Sequence, residues 1–413
     1  MYKLSYRLLN LLKQSLNGEN LDFTTGSIRR AVLLLAIPMM LEMMMESVFA
    51  LVDLYFVGHL ENSSAAVQTV GLTESILSII YSIAMGLGMG ATAVVARRIG
   101  EKDPVAGAKA GMQAVVIALS INVVIAVLGF IFATDILMLM GSSPESAEFG
   151  TPFMRVMMCS SFVIMLLFIL NGIFRGAGNA AIAMKSLWIA NAFNIALCPI
   201  FINGLGPIPA FGLTGAAIAT TIGRSMGVLY QLYNLFNGKG ILKVALSYFI
   251  PDRKLIGSLI GIAAPGMLQF VIASCSWIFL AELVATTGGD VGSAGYQSAI
   301  RIMMFFMLPA WGLSGAAATL VGQNLGAKDV GRAERSVFVT AKFSVGYMTL
   351  IMVICLLAAN TMMGFFTNDE RVHEVAVKAI RILSTGYIFY GIGMVLLNAF
   401  NGSGDTKTPT WVN

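Results

Sequence analysis

Short sequence landmarks recur along this chain at an almost constant distance. The offset is 226 positions for two of them and 227 for the third. Three landmarks that keep one offset indicate an internal duplication, so the fold must be built from two copies of one unit. The landmarks and their copies are Gly100 to Asp103 with Gly326 to Asp329, Pro38 with Pro265, and Phe174 to Asn179 with Phe400 to Asp405.

The composition indicates that this unit lies in a lipid bilayer and not in water. The chain is 57% hydrophobic and 11% charged, whereas soluble domains carry roughly 25% charged residues. We therefore predict an all-α polytopic membrane protein. The four cysteines lie in apolar stretches and predict neither a disulfide framework nor a metal site. The net charge of +5 comes from basic loops, which is a membrane-topology signal, and predicts no nucleic-acid partner.

A membrane-crossing helix needs about 20 mostly apolar residues. Stretches of this kind are numerous enough to predict six spans in the first copy and four in the second, so the second copy is truncated. The predicted spans are 31–57, 66–96, 110–133, 151–174, 182–202, 211–236, 255–286, 293–325, 337–359 and 376–400.

The basic residues predict the orientation. With a cytoplasmic N-terminus, most Lys and Arg residues fall on the inner side, as the positive-inside rule requires. Six spans return the chain to its starting side, so the two repeats are expected to be parallel lobes. We divide the chain into a cytoplasmic amphipathic segment, 1–27, an N-lobe, 28–237, a cytoplasmic linker, 238–254, and an incomplete C-lobe, 255–413.

Three carboxylates lie in the first predicted span. At 100° per residue, Glu42, Glu46 and Asp53 fall within about 40° of one another on a helix. A charge in a bilayer costs roughly 2.5 kcal/mol or more, so this stripe is expected to face protein or a water-filled cavity. Buried carboxylates of this kind can take up and release protons, and all three residues are therefore candidates for cation coupling. A structural ion pair with Arg224 or with a loop cation is the alternative.

Methionine and aromatic residues suggest a pocket for apolar compounds. Methionines crowd the first and eighth spans, where flexible, polarisable walls can accept many shapes, although lipid-facing filler is an alternative. We take Met43, Gln297, Met304 and Tyr390 as candidate substrate-pocket residues.

Other residues inside the spans predict structural roles. Glu282 and Arg301 are expected to form an ion pair between the seventh and eighth spans. Glycines such as Gly86 and Gly312 are expected to let helices approach closely. Since no nucleophile elbow, Walker loop, zinc signature or dinucleotide fingerprint occurs, we expect neither an enzyme nor a cofactor beyond a coupling ion.

Taken together, the motifs resemble those of the multidrug and toxic compound extrusion (MATE) family over nearly the whole chain. The motif around Asp53 is similar to the family's first-span aspartate motif, and the segment from Phe174 is similar to its loop after the fourth span. The segments 294–302 and 320–328 resemble the family's eighth-span motif and the loop that follows it.

This resemblance implies two six-helix lobes that export organic cations and other amphipathic compounds in exchange for H⁺ or Na⁺. It implies that Asp53 is the coupling carboxylate and that Asn194 assists it. The chain departs from the family pattern at Cys198, where many members carry an aspartate, and at Ala273 and Gly391, where some sodium-coupled members carry acids. Glu42 or Glu46 could compensate for the carboxylate missing at Cys198.

The resulting hypothesis is a monomeric, multi-pass antiporter of the cell membrane whose partners are small amphipathic or cationic compounds and the lipid bilayer. One alternative is a lipid-linked oligosaccharide flippase of related architecture, which the mostly acidic deep charges disfavour. A non-transporting fragment is the other alternative, because the second copy is short. We expect the gene to continue beyond Asn413.

Overall fold

A computed structural model describes residues 2–18, 22–58, 63–238, 240–365 and 369–412 of the chain, with side chains except at 2–8, 50–55, 57–58 and 63–65. The described residues are mostly α-helical, and the connections between the helices contain one short 3₁₀ turn, Leu246–Phe249, and an isolated bridge. The helices are α1 (Tyr2–Asn17), α2 (Ile28–Gly58), α3 (Ser63–Gly100), α4 (Pro104–Leu139), α5 (Pro144–Cys159), α6 (Ser161–Gly176), α7 (Ala180–Asn203), α8 (Gly212–Phe236), α9 (Arg253–Gly326), α10 (Val330–Gly364), α11 (Glu370–Thr385), α12 (Tyr387–Ser403) and α13 (Lys407–Val412).

Each of the ten predicted spans falls on helix, but the spans are joined and broken differently from the prediction. Seven helices in the described residues are long and apolar enough to cross a membrane, and the bent pair α11–α12 makes an eighth candidate. The predicted sixth span, α8, is not among them. Its glycines pack closely on α7, since a Cβ at Gly223 would lie 2.5 Å from the Ala190 carbonyl oxygen.

Two predicted spans form the single element α9. Its 74 residues would extend about 110 Å if they were straight. Both ends nevertheless lie beside Arg97, because Ser258 lines a surface pocket with Arg97 and a Cβ at Gly326 would lie 2.1 Å from the Arg97 carbonyl oxygen. The chain therefore doubles back at Gly289 (φ 58°, ψ −157°). We call 253–288 and 290–326 the first and second arms of α9.

The duplication is visible in the backbone itself. Helix α4 begins after Asp103 and α10 begins after Asp329, and each aspartate side chain accepts a hydrogen bond from the backbone N–H three residues on. The residue before each cap, Lys102 or Lys328, has φ 62°, which is unusual for a residue with a side chain. The equivalent helix in each copy thus begins with the same aspartate N-cap, preceded by a lysine with positive φ.

Each copy also contains one broken span. Helices α5 and α6 meet at Ser160, and α11 and α12 meet at Gly386 with a bend of 51°. The two breaks are 226 positions apart, which is the repeat offset. The predicted spans 151–174 and 376–400 each cross one of these breaks. The second of these two spans begins inside α11, an amphipathic helix that carries Glu370, Arg371, Glu374, Lys378 and Arg381.

The two copies contact each other reciprocally at one end of the bundle. A Cβ at Gly100 would lie 1.9 Å from the Gln323 carbonyl oxygen, just as one at Gly326 would meet Arg97. Arg97 and Gln323 are themselves 226 positions apart, so each copy offers the same surface to the other. We call this end the basic end, because Arg97, Arg98, Lys102 and Lys328 lie there.

Candidate functional site

A cavity of about 140 Å³ lies between the two lobes. Its walls come from α2, α3 and α6 of the first copy and from both arms of α9 and α12 of the second. Methionine and aromatic side chains predominate, and small residues allow the helices to approach. The lining residues are Met39, Met43, Met85, Gly88, Met89, Thr92, Phe168, Gly172, Arg175, Phe270, Leu308, Trp311, Gly312, Gly315, Ala318, Asn398 and Asn401.

This central cavity continues into the second copy. A neighbouring cavity of about 180 Å³ shares Phe270, Trp311 and Asn398 with it. The rings of Phe270 and Trp311 stack at 5.6 Å between the two spaces. We call the second space the C-lobe cavity. Together the two cavities form a largely apolar chamber that fits the aromatic body of an organic compound.

The predicted pocket residues divide between these spaces and the surface. Met43 lines the central cavity, and Met304 and Tyr390 line the C-lobe cavity. Gln297 is exposed and lines none of the described cavities.

The cavity closes toward the basic end through hydrogen bonds between the lobes. The Thr319 hydroxyl donates to the Arg175 carbonyl oxygen at 3.1 Å. The Gln323 side-chain amide donates to the Gly176 carbonyl oxygen at 3.0 Å. With the Gly100 and Gly326 contacts, these bonds make Arg175 part of the floor of the cavity.

Glu42, a predicted coupling residue, lies beside this floor. Only 1% of its side chain is exposed, and its Oε1 accepts hydrogen bonds from Arg175 Nη2 at 2.5 Å and from Asn171 Nδ2 at 2.9 Å. Its Oε2 has no partner among the described residues. A carboxylate this deeply buried requires the guanidinium opposite it. Glu42 thus forms the ion pair that the alternative predicted, although its partner Arg175 lies in the last turn of α6 and not in a loop.

Polar side chains continue this network into the first lobe. Gln231 and Ser186 are fully buried, and the Gln231 amide donates both to Asn171 Oδ1 and to the Ser186 hydroxyl. Sequence reasoning did not identify this network, because its members come from α6, α7 and α8. The internal repeat did contain one indication of the ion pair. Glu42 and Arg175 are the first-copy equivalents of Gln269 and Asn401, so the two charged residues stand where the second copy has two neutral ones.

Glu46 occupies a different environment from Glu42. Its Oε1 lies 3.9 Å from Arg224 Nη2, which confirms the alternative that pairs a first-span acid with Arg224. The Arg224 side chain is buried between the rings of Phe49 and Tyr81, with 5.4 and 5.6 Å from its Cζ to the two ring centroids. Its Nη1 donates to the Tyr81 hydroxyl at 2.7 Å. The predicted carboxylate stripe is therefore split between two arginines.

Arg224 also lines a third space of about 230 Å³ inside the first lobe, which we call the N-lobe cavity. Glu74 and Thr220 line it too. The predicted coupling residue Asn194 is buried beside it and donates from Nδ2 to the Thr220 hydroxyl at 2.9 Å, while its Oδ1 has no partner among the described residues. Asp53 lies on α2, but its side chain is outside the described part of the chain.

The predicted ion pair between Glu282 and Arg301 is wrong for this structure. Both side chains are exposed, and no salt bridge joins them. Glu282 precedes the reversal at Gly289 by 7 residues and Arg301 follows it by 12. At 1.5 Å per residue, the two positions differ in height by roughly 8 Å along the arms of α9. The two residues are close in sequence but lie at different heights along the two arms.

These features define a two-lobed, all-helical membrane protein with a chamber between its lobes. The chain belongs to the MatE family, whose model matches residues 38–200 and again 265–413. The two matches begin 227 positions apart, the distance between Pro38 and Pro265, and the family is the one that the motifs predicted.

Similar proteins have been characterised in sequence and in structure. The multidrug export protein MepA of Staphylococcus aureus (strain MRSA252) is 23% identical over 392 residues, which cover 94% of this chain and 84% of MepA. MepA of Staphylococcus saprophyticus is 24% identical over 389 residues, covering 94% and 84%.

Solved structures of similar proteins share the fold closely. A crystal structure of MATE in complex with MaD3S has a TM-score of 0.89 and 26% identity, covering 95% of this chain and 87% of that one. An outward-facing multidrug resistance MATE transporter of the MOP superfamily has a TM-score of 0.88 and 27% identity, with the same coverage. A MOP superfamily transporter from Pyrococcus furiosus Vc1, reported with a binding pocket of reverse polarity, has a TM-score of 0.87 and 27% identity, again with 95% and 87% coverage.

Proposed function

We propose that this chain exports amphipathic organic compounds across the cell membrane, in exchange for H⁺ or Na⁺. The observation that carries the proposal is the chamber between the lobes, closed at one end and walled by methionine and aromatic side chains. Methionine walls adapt to ligands of different shape. The MepA proteins, which are named for multidrug export, support the same assignment.

Transport would proceed by alternating access of the two lobes. The excess of basic residues at the basic end favours a cytoplasmic location for it and for the N-terminus. The chamber is then closed toward the cytoplasm, and the lobes must part at Gly100 and Gly326 before a compound can enter from inside the cell. Rocking of the lobes about the chamber would separate these two contacts and close the opposite end.

Cation coupling would reside in the first lobe. In this proposal, Asn194 and Glu46 act beside the N-lobe cavity, Glu42 acts at the floor of the central cavity, and Asp53, a residue of α2, is the main coupling carboxylate. Binding of a cation neutralises a carboxylate and removes its attraction for the neighbouring arginine. At Glu46 and Glu42, these arginines are Arg224 and Arg175. Loss of either attraction would change the packing of the lobe and thereby favour the opposite orientation.

Transport in reconstituted vesicles tests the proposal. We would load proteoliposomes that contain the 413-residue chain with ethidium and impose a pH gradient or a Na⁺ gradient separately. Asp53→Asn is expected to reduce gradient-driven ethidium transport at least tenfold, because the coupling carboxylate is lost. Glu374→Gln, an exposed acid on α11, is the matched control and should transport normally. Full transport by Asp53→Asn would exclude Asp53 as the coupling residue. Absence of gradient-driven transport by the unmodified chain, both of ethidium and of an amphipathic dye that carries a carboxylate, would contradict export.

A further inference from the structure

The charge in the lining of the central cavity is basic. Among the described residues that line the central and C-lobe cavities, Arg175 is the one charged side chain. The nearest acid, Glu42, is 1% exposed and lies behind the guanidinium. A compound in the chamber therefore meets a cation first, and it reaches no carboxylate unless Arg175 moves.

Arg175 has donors to spare. A guanidinium carries five N–H groups, and within the described part of the chain Arg175 uses one nitrogen, Nη2, for a hydrogen bond to Glu42. Its Nε is buried and has no partner among the described residues, and 26% of the side chain is exposed, so the donors that a compound in the cavity can reach belong to the exposed part of the guanidinium. Glu42 contributes a single oxygen, so the pair is not the two-bond fork that arginine and a carboxylate can form. The guanidinium can donate hydrogen bonds to a second carboxylate from the cavity side.

The position of Arg175 fits an amphipathic ligand. It lies at the floor, immediately above the bonds that close the basic end. The walls above it include Phe168, Phe270 and Trp311. An aromatic body can therefore pack in the chamber while an anionic group at one end reaches the floor.

We infer that the chamber selects amphipathic compounds that carry a carboxylate, as zwitterions or anions, and that Arg175 binds this carboxylate. Glu42 sets the strength of the contact, because it competes for the same guanidinium. The inference rests on the proposed function, in which the chamber holds the exported compound, and it names the substrate class. A compound with only a positive charge gains the apolar contacts and loses the polar one.

Two dyes that differ in one group can test this inference. Rhodamine 110 has a free carboxylate, and rhodamine 123 is its methyl ester. We would measure the binding of each dye to the purified chain in nanodiscs by fluorescence anisotropy. The unmodified chain should bind rhodamine 110 about tenfold more tightly, since a hydrogen-bonded contact with a charged group contributes roughly this factor or more.

Variants of the pair should change this preference in opposite directions. Glu42→Gln removes the competing carboxylate and should increase the preference for rhodamine 110 at least threefold. Glu42→Gln with Arg175→Asn copies the neutral pair of the second lobe and should abolish the preference, while the affinity for rhodamine 123 stays within about threefold. Arg381→Gln, which removes an exposed arginine of α11, is the control for net charge and should change neither dye.

Each outcome decides the inference. Equal binding of the two dyes by the unmodified chain, or a preference that survives in the double variant, would overturn it. Absence of binding by both dyes would also overturn it. If the binding preference follows the prediction but vesicles transport neither dye, the carboxylate site stands and the proposed export fails.

Discussion

The two lobes hold different side-chain pairs at equivalent positions. In the first lobe, Glu42 and Arg175 form a buried ion pair at 2.5 Å. The equivalent residues of the second lobe, Gln269 and Asn401, exchange neutral hydrogen bonds at 3.2 and 3.4 Å. The offsets are 227 and 226. One backbone arrangement therefore supports both an ionic and a neutral pair, so the charge is not required by the fold.

Each pair has a further partner, but the neutral pair is bound to the backbone whereas the ionic pair is bound to another side chain, the Asn171 amide. The Gln269 amide also donates to the Thr406 carbonyl oxygen at 2.9 Å, whereas Glu42 Oε2 has no partner among the described residues. The second lobe thus satisfies its polar groups more fully. The first lobe keeps an incompletely satisfied charge beside the chamber, and a group of this kind is more often kept for function than for stability.

The largest expected effect comes from breaking the ionic pair on one side only. Arg175→Asn leaves the Glu42 carboxylate buried without its cation and should lower the free energy of unfolding by about 3–5 kcal/mol. Adding Glu42→Gln should restore most of this loss, because the pair then matches that of the second lobe. The thermal unfolding midpoint in detergent measures both variants. A double variant as unstable as Arg175→Asn alone would show that the lobes are not interchangeable here.

The sequence predicted the common frame better than it predicted these differences. Glycine, proline and aspartate cap positions are local signals, so the repeat and the ten helical stretches could be located without coordinates. The partners of Glu42 could not, because Asn171 and Arg175 lie 129 and 133 residues away in sequence. The Glu282–Arg301 error has the same origin, since the rotation and height of each arm of α9 depend on the packing of neighbouring helices.

The next prediction concerns a place where the lobes are the same. At Gly100 and Gly326 a Cβ would lie 1.9 and 2.1 Å from a backbone oxygen of the other lobe. Alanine at either position should cost about 1–3 kcal/mol, as other overpacking substitutions do, and the two losses should be equal because the contacts are reciprocal. Gly346→Ala is the control, since nothing lies within 4 Å of its Cβ position. If only one of the two alanines lowers the unfolding midpoint, the reciprocal contact is not maintained.

A smaller effect is expected at the two lysines with φ 62°. Glycine adopts this backbone conformation without a Cβ penalty, so Lys328→Gly should stabilise the chain by about 0.5–1 kcal/mol. Lys102→Gly should stabilise it less, because Lys102 Nζ binds Asp22 at 2.8 Å and this bond would be lost. The two gains in stability should become more similar at high salt, since salt weakens the exposed bond. Unfolding midpoints measured in 0.1 M and 1 M salt test this. Equal gains at low salt would contradict the difference between the lobes.

The smallest expected effect isolates that bond. Partial burial acts to raise the pKa of Asp22, but hydrogen bonds from Lys102 and Thr24 outweigh it and lower the pKa to about 2. Because the unfolded aspartate has a pKa of about 3.9, the bond contributes stability above that pH and loses it as the pH falls toward 2. Asp22 is 45% exposed, so solvent limits the contribution to a few tenths of a kcal/mol.

Asp22→Asn should therefore lower the unfolding midpoint slightly at pH 7, and the difference should shrink between about pH 5 and pH 2. No ion pair reaches Lys328 within the described residues, so the loss of Asp22 makes the first-lobe loop resemble the second. A difference that grows on acidification would mean that Asp22 acts through its neutral form and not through its charge.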